Sequence, residues 1–374
     1  MQVAARAFVG IFGENPDQAA HGLLGGLFPG AYGDPPDRGD ANVLEGYSTM
    51  PWLRAVSQRV ATAVATSATD WQLYAPVSGE RRDVRKYQRA PMMQRRKMIA
   101  KDAGEKLKPI DDHILLSALS SANSYMTGLA LMKTTQLHLD LVGEAFWIKE
   151  RNAVGAPVAF WPVPSNWVLS TPTPSNRSYN VSFSGWQGAI PETEVLWMAE
   201  PNPANPYGRG SGMGRCLSDE LETDEFAAKH TRQFFYNRAR PDLIVSPKST
   251  GPHDIGLQPE QVRRLEEKWL DGHQGFWRSF KPFFVNRPLE VHEVNQSLRE
   301  MQMIELRQWQ RDIVVQQFGV PPELLGILNN SNRATIEAAD YLFSRWVITP
   351  RLEFLRAQLQ ERLVPEYDDR LVID

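Results

Sequence analysis

The chain contains one cysteine, Cys216, in 374 residues. An intrachain disulfide is therefore impossible, and a zinc site built from several cysteines is excluded. No apolar run approaches the 18 or so residues of a membrane span, and the start, MQVAARAFVGIFGENPDQ, lacks the pattern of a signal sequence. A soluble protein made in a cytoplasm, with no membrane partner, is expected. Neither charge is in surplus: 41 Lys and Arg face 44 Asp and Glu, a net charge of -3, which argues against gripping nucleic acid through bulk positive charge. Catalytic signatures are missing too. There is no H-E-x-x-H, no G-x-S-x-G and no P-loop lysine, and the seven histidines are scattered. His253-Asp254 and His292-Glu293 are adjacent pairs whose side chains diverge on a strand or a helix. No cofactor, no metal and no catalysis are expected.

What is present is enough for a sizeable core: 42% hydrophobic residues, 10% aromatic and eleven tryptophans, over a length that suits two or three domains. Residues 1–45 are rich in glycine, proline and alanine and read as an extended arm. From Pro51 to Ala68, Leu53, Val56, Val60 and Val64 recur at helical spacing, and WQLYAP follows as a short strand. Residues 81–108 carry eleven Lys or Arg against three acids. This basic block reads as a solvated excursion, or as a contact with nucleic acid or an acidic surface. A helical period returns from Asp112 to Leu141, and alternating runs follow (AFWIKE, VAFWPVP, NWVLS, YNVSFS, EVLWMAE), separated by turn residues. That is a β-rich module.

GRGSGMGR, residues 208–215, places glycine at alternate positions before a helix. A phosphate cradle and a flexible connection are both open; without a following Lys-Ser or Lys-Thr the flexible connection is preferred. Ser218 to Arg240 reads as a long helix, acidic at its start, basic at its end and stopped by Pro241. A small module with strand-like and helical runs follows. A second long helix is then predicted from the S-x-x-E capping box at Ser297 and Glu300 to Phe318, roughly 33 Å. It stops at FGVPPELLG, where Gly319 suits a left-handed cap and Pro321 and Pro322 forbid helical continuation. A last helical region from Asn332 meets Pro350, which is expected to kink or split it.

LHLDLVGEAFWIKERNAVGAPVAFWPVPSNWV, EVLWM before the glycine-rich loop, FFYNRARP after the first long helix and FGVPPELLG after the second together resemble the portal proteins of tailed bacteriophages. The type is the one found with long non-contractile tails and in related gene-transfer particles. The likeness runs from about Pro51 to the C-terminus, and the last two motifs are its most specific marks. Glu144 stands where that family usually has asparagine.

The resemblance implies an α+β portal fold assembled as a ring of twelve around a DNA channel, at one vertex of a virion capsid. Its parts would be an arm (1–45), a β-rich wing (46–216), a first stem helix (217–241), a small α/β clip (242–286), a strand and second stem helix (287–319), a tunnel loop with a helix returning to the wing (320–350) and a short helical crown (351–374). Expected partners are double-stranded DNA without sequence preference, the terminase large subunit, the major capsid protein and a head-tail adaptor. Expected site residues are Ile327, Leu328, Asn329, Asn330, Ser331, Asn332 and Arg333 in the tunnel loop and channel. Gly319, Pro321 and Pro322 would direct that loop, and His253, Asp254, Lys268 and Asp271 would meet the motor. The readings left open beside it are a glycan- or nucleic-acid-active enzyme with paired carboxylates and a monomeric adaptor.

Overall fold

The computed structural model describes residues 39–77, 81–173, 175–183, 186–237, 243–247, 260, 263–264, 289–293, 303–328 and 333–374. The chain divides into two units. The first takes the residues up to Ser218 together with Ile313–Asp374, and the second is Asp219–Asp312.

In the first unit, helix α1 (Asp40–Thr49) gives way at extended Met50 to α2 (Pro51–Ser67), with Pro51 in the first turn, where its missing N–H is no loss. The periodic face is buried as expected: Leu53, Val56, Val60 and Val64 all lie inside. Next come β1 (Leu73–Pro76), α3 (Arg81–Arg89), α4 (Met92–Asp102) and β2 (Leu107–Ile110), so the basic block is folded structure and not a loose excursion. Arg95, 1% exposed, is the reason. Its guanidinium takes both Glu353 oxygens (3.0 and 2.9 Å), Asp374 and the Ala90 carbonyl, which satisfies a charge that burial alone would reject. Asp102 is likewise bound by Tyr87 and Lys106. Val84, Tyr87, Ile99, Leu107 and Val372 close one apolar cluster beneath the two helices.

The stretch from Asp112 to Leu141 resolves into α5 (Ile114–Ser120) and α6 (Gly128–Val142), the latter capped by the Thr127 hydroxyl. Strands β3 (Glu144–Arg151), β4 (Pro157–Val163), β5 (Val168–Ser170), β6 (Ser178–Phe183), β7 (Trp186–Pro191) and β8 (Val195–Ala199) bear out the β-rich module. They pair antiparallel in two sheets, β4-β3-β8 and β5-β6-β7. Phe146, Val163, Val168, Tyr179, Val181 and Val195 form the core between these sheets, with Trp197 stacked on Phe146. Trp147 ties β3 to α6 by donating to the Thr135 hydroxyl (2.8 Å). After β8 comes a short helix, α7 (Met213–Cys216).

The second unit holds nearly all of α8 (Ser218–Asn237), the antiparallel pair β9 (Leu243–Pro247) and β10 (Leu289–Glu293), and the start of α9 (Met303–Phe318). Arg307 of α9 pairs with Asp224 of α8 at 2.8 Å. The expected capping box at Ser297 and Glu300, and the stop at Pro241, lie outside the described residues.

Back in the first unit, α10 (Arg333–Phe343) leads through a π-turn at Ser344–Ile348 into α11 (Thr349–Arg362). Pro350 does not split this run. The wider turn just before it absorbs the missing donor, and the Thr349 hydroxyl takes the Ser344 carbonyl (2.8 Å). A final strand, β11 (Val372–Ile373), pairs with β1 and completes the sheet β11-β1-β2. Arg351–Asp140 (3.0 Å), Tyr367 donating to the Pro157 carbonyl (2.6 Å) and Arg95–Asp374 fasten residues 351–374, the expected crown, to the helices and sheets of this same unit.

Candidate functional site

The corner after α9 is built by glycine more than by proline. Gly319 adopts φ +68°, and its amide donates to the Gln316 carbonyl (3.0 Å) while the Val320 amide reaches back to Val315 (3.2 Å). This pair of bonds closes the helix one residue past Phe318, and Val315 and Val320 are both buried at this end. The prolines were expected to forbid helical continuation, but α9 has already ended when they arrive. Pro321 is extended (φ -60°, ψ 134°), and Pro322 opens a 3-10 turn, Pro322–Leu325, where a residue without an N–H is no loss. That turn closes on a second left-handed glycine, Gly326 (φ +81°), by the same arrangement: Gly326 to Glu323 and Ile327 to Pro322, both 3.1 Å. Arg59 of α2 pins it from below through the Leu324 carbonyl (2.7 Å).

Gly319, Pro321, Pro322, Ile327 and Leu328 therefore sit in one rigid double bend, with Leu328 exposed. Asn329, Asn330, Ser331 and Asn332 lie outside the described residues. Arg333 opens α10, strongly exposed, in an i,i+4 ion pair with Glu337 (2.9 Å). The expected motor-docking residues His253, Asp254, Lys268 and Asp271 also fall outside the described residues. Beyond the bend, α10 and the π-turn expose Tyr341, Leu342 and Trp346 together, with Arg345 over the Tyr341 and Trp346 rings (6.0 and 5.8 Å).

A second feature was not visible in the sequence. Residues 208–215 do not form a flexible connection; Gly210, Gly212 and Gly214 press against the end of α6. A Cβ on Gly210 would stand 2.1 Å from the Gly143 carbonyl oxygen, on Gly212 2.4 Å from the Gly143 nitrogen and on Gly214 2.5 Å from the Leu141 carbonyl oxygen. Alternate glycines here serve backbone-to-backbone approach. Arg209 locks the loop: its guanidinium meets fully buried Glu144 (2.6 Å) and donates to the carbonyls of Val168 (3.0 Å) and Ser165 (2.8 Å). Arg215 pairs with Asp40.

Burial pushes the Glu144 carboxyl up and Arg209 opposes it; Asp140, facing Arg351, is raised by burial as well. Glu200 rises through burial and the neighbouring Asp140. His138, buried, is pushed down to about 4 by desolvation, and its Nδ1 has no hydrogen-bond partner among the described residues. These groups are absorbed by structure, and no group of three or more His, Cys, Asp or Glu suited to a metal occurs among the described residues. No described helix is long and apolar enough to cross a membrane.

The family model described as phage portal protein matches residues 92–373. The chain belongs to the phage portal protein family. It is 26% identical over 146 residues to a probable portal protein of Streptomyces phage phiC31, and that stretch spans 31% of the relative's own length. Among solved structures it resembles a chain in the neck of an empty gene transfer agent particle computed with C6 symmetry: TM-score 0.59, 18% identity, 95% of this chain and 89% of that one. It also resembles an HK97-family phage portal protein from Corynebacterium diphtheriae: TM-score 0.56, 16% identity, 88% of this chain and 95% of that one. Both structural likenesses are of fold. The match begins inside the basic α3–α4 pair and takes in the double bend, the glycine interlock and β11.

Proposed function

We propose that this chain is a portal subunit that closes into a ring of twelve around a channel for double-stranded DNA, at one capsid vertex. There it would serve packaging by the terminase motor, retention of the genome, its ejection and the connection of head to tail. The family match over residues 92–373 carries the reading. The fold likeness over nearly the whole length to a chain in a particle neck supports it.

The described surface suits such an assembly. Phe226 of α8 and Trp309 of α9 are 60% and 61% exposed, and Tyr341, Leu342 and Trp346 lie bare beyond the bend. Large apolar side chains left outside a monomer's core are accounted for if a neighbouring copy covers them. In this reading α8 and α9 form the stem, residues 242–286 the clip that meets the motor or an adaptor, and residues 46–216 the wing that meets the major capsid protein. We assign residues 351–374 to the wing as well, because Asp140, Pro157 and β1 hold them there. In the same reading the double bend at Gly319–Gly326 leads into residues 327–333, which we assign to the channel loop. Those residues offer amides, a hydroxyl and one paired arginine, which suits a loop that must let DNA slide, since each neutralised phosphate would add affinity and drag.

Mass measurement under native conditions tests the reading. A closed species near 12 × 42.3 kDa, about 508 kDa, is expected, and a monomer at every concentration would overturn it.

A further inference from the structure

Resting on the portal reading above, we propose that the helical pair α3–α4 is a DNA-binding surface distinct from the channel, which holds duplex DNA by its phosphates without reading sequence. Charge is strongly segregated along the chain. Residues 81–108 carry eleven Lys or Arg and three acids, a net +8, so that the rest of a chain of net charge -3 carries -11. Folding uses little of this surplus. Arg95 is consumed inside, Lys86 and Lys106 share Asp102, and Arg96 reaches Asp374. Arg85, Arg89, Lys97, Lys101 and Lys108 are exposed and have no ion pair among the described residues.

Their placement matches a phosphate backbone. Arg85 and Arg89 are i,i+4 neighbours on α3, as are Lys97 and Lys101 on α4, so each pair shares a face with a rise of about 6 Å between its members. Both helices bury their opposite faces, Val84, Tyr87 and Ile99, in the cluster that includes Val372. The cations therefore stand on a platform held by Arg95–Glu353, Arg95–Asp374 and Tyr87–Asp102. The backbone beneath them is already ordered, so the ordering cost on binding falls on the long side chains alone.

Chemistry favours nucleic acid over an acidic protein as the occupant. Protein interfaces are anchored by buried aromatic and apolar side chains at their centre. On this pair Met93 is the one large apolar side chain exposed among the described residues, and Tyr87 faces inward. A surface of long cationic side chains without an anchor suits phosphates, which contribute affinity through counterion release.

Topology separates this surface from the channel experimentally, because a covalently closed circular duplex cannot thread a closed ring. Binding of relaxed circular DNA to the full-length ring, followed by gel shift between about 50 and 200 mM salt, should show a steep negative slope of log K on log salt. The variant Arg85→Gln/Arg89→Gln/Lys97→Gln/Lys101→Gln should bind at least tenfold more weakly in low salt. Its slope should flatten by roughly 0.9 for each lost phosphate contact, up to about 3.6. Arg54→Gln/Arg177→Gln, which removes exposed cations elsewhere, should change neither quantity. Native mass and melting temperature of the same samples report separately on ring closure and folding, so failure of the portal reading is distinguishable from failure of this one. Three results would each overturn the proposal: circular DNA left unbound by the parent ring, equal binding by the quadruple variant, or loss in that variant of binding to purified major capsid protein with DNA binding unchanged.

Discussion

Alanine at Gly143 and alanine at Gly155 separate two costs that are usually confounded. Both glycines have positive φ, +85° and +91°, so both substitutions force a side chain into the left-handed region, at about 1–2 kcal/mol each. At Gly155 nothing lies within 4 Å of the added Cβ, and the conformational cost is the whole effect. At Gly143 the Cβ would stand 2.3 Å from the Ser211 carbonyl carbon and 2.4 Å from the Gly212 nitrogen, which are backbone atoms that cannot rotate away. Relieving that overlap means parting the 208–215 loop from α6 and loosening Arg209 from buried Glu144. Overpacking of this kind adds about 1–3 kcal/mol, so the total for Gly143→Ala is about 2–5 kcal/mol. Urea unfolding followed by tryptophan fluorescence should resolve the difference: a modestly lowered midpoint for Gly155→Ala, and a larger fall for Gly143→Ala. Equal losses at the two sites would refute the interlock, and with it the claim that residues 208–215 are rigidly docked.

Three further outcomes are expected. His138, with a folded-state value of about 4 against an ordinary 6.5, binds fewer protons folded than unfolded between these values. Stability therefore rises with pH through that window and is lost on acidification, by about 2 kcal/mol from pH 7 to pH 5. A His138→Gln variant should lose correspondingly less over the same range in thermal melts, and parallel curves for the two proteins would contradict this. Arg95→Ala removes the cation that Glu353 and Asp374 share, leaving them with Arg356 and Arg96, and should destabilise by about 1–3 kcal/mol in urea titrations, where a loss under about 0.5 kcal/mol would show the network to be dispensable. At the corner, Pro321→Ala with Pro322→Ala should leave the end of α9 in place in a cryo-microscopy map of the ring, because Gly319 closes the helix. Gly319→Val should disturb it, since its Cβ has only 3.2 Å to Val347 and a β-branched residue resists φ +68°. Extension of α9 in the double proline variant would give the prolines the stopping role.

Much of this architecture is legible in the sequence because it follows from local rules. The period of Leu53, Val56, Val60 and Val64 settles one face of α2, alternation settles β6, and a glycine after an amphipathic run settles the end of α9, whereas β3 forms without alternation because both of its faces are buried. Motifs such as FGVPPELLG pointed to the portal family, and the family model bears this out over residues 92–373. The tertiary structure alone decided what depends on distant partners. A two-residue strand such as β11 has no period to read, and it exists because β1 presents an open edge to it. Whether alternate glycines mean slack or close contact depends on which backbone lies across from them, and here it is Leu141–Gly143. Eleven basic residues in one block look alike in sequence; only packing shows that Arg95 belongs to the core while Arg89, Lys97 and Lys101 face solvent. Local pattern sets which elements form, and long-range contact sets what each charge and each glycine is for.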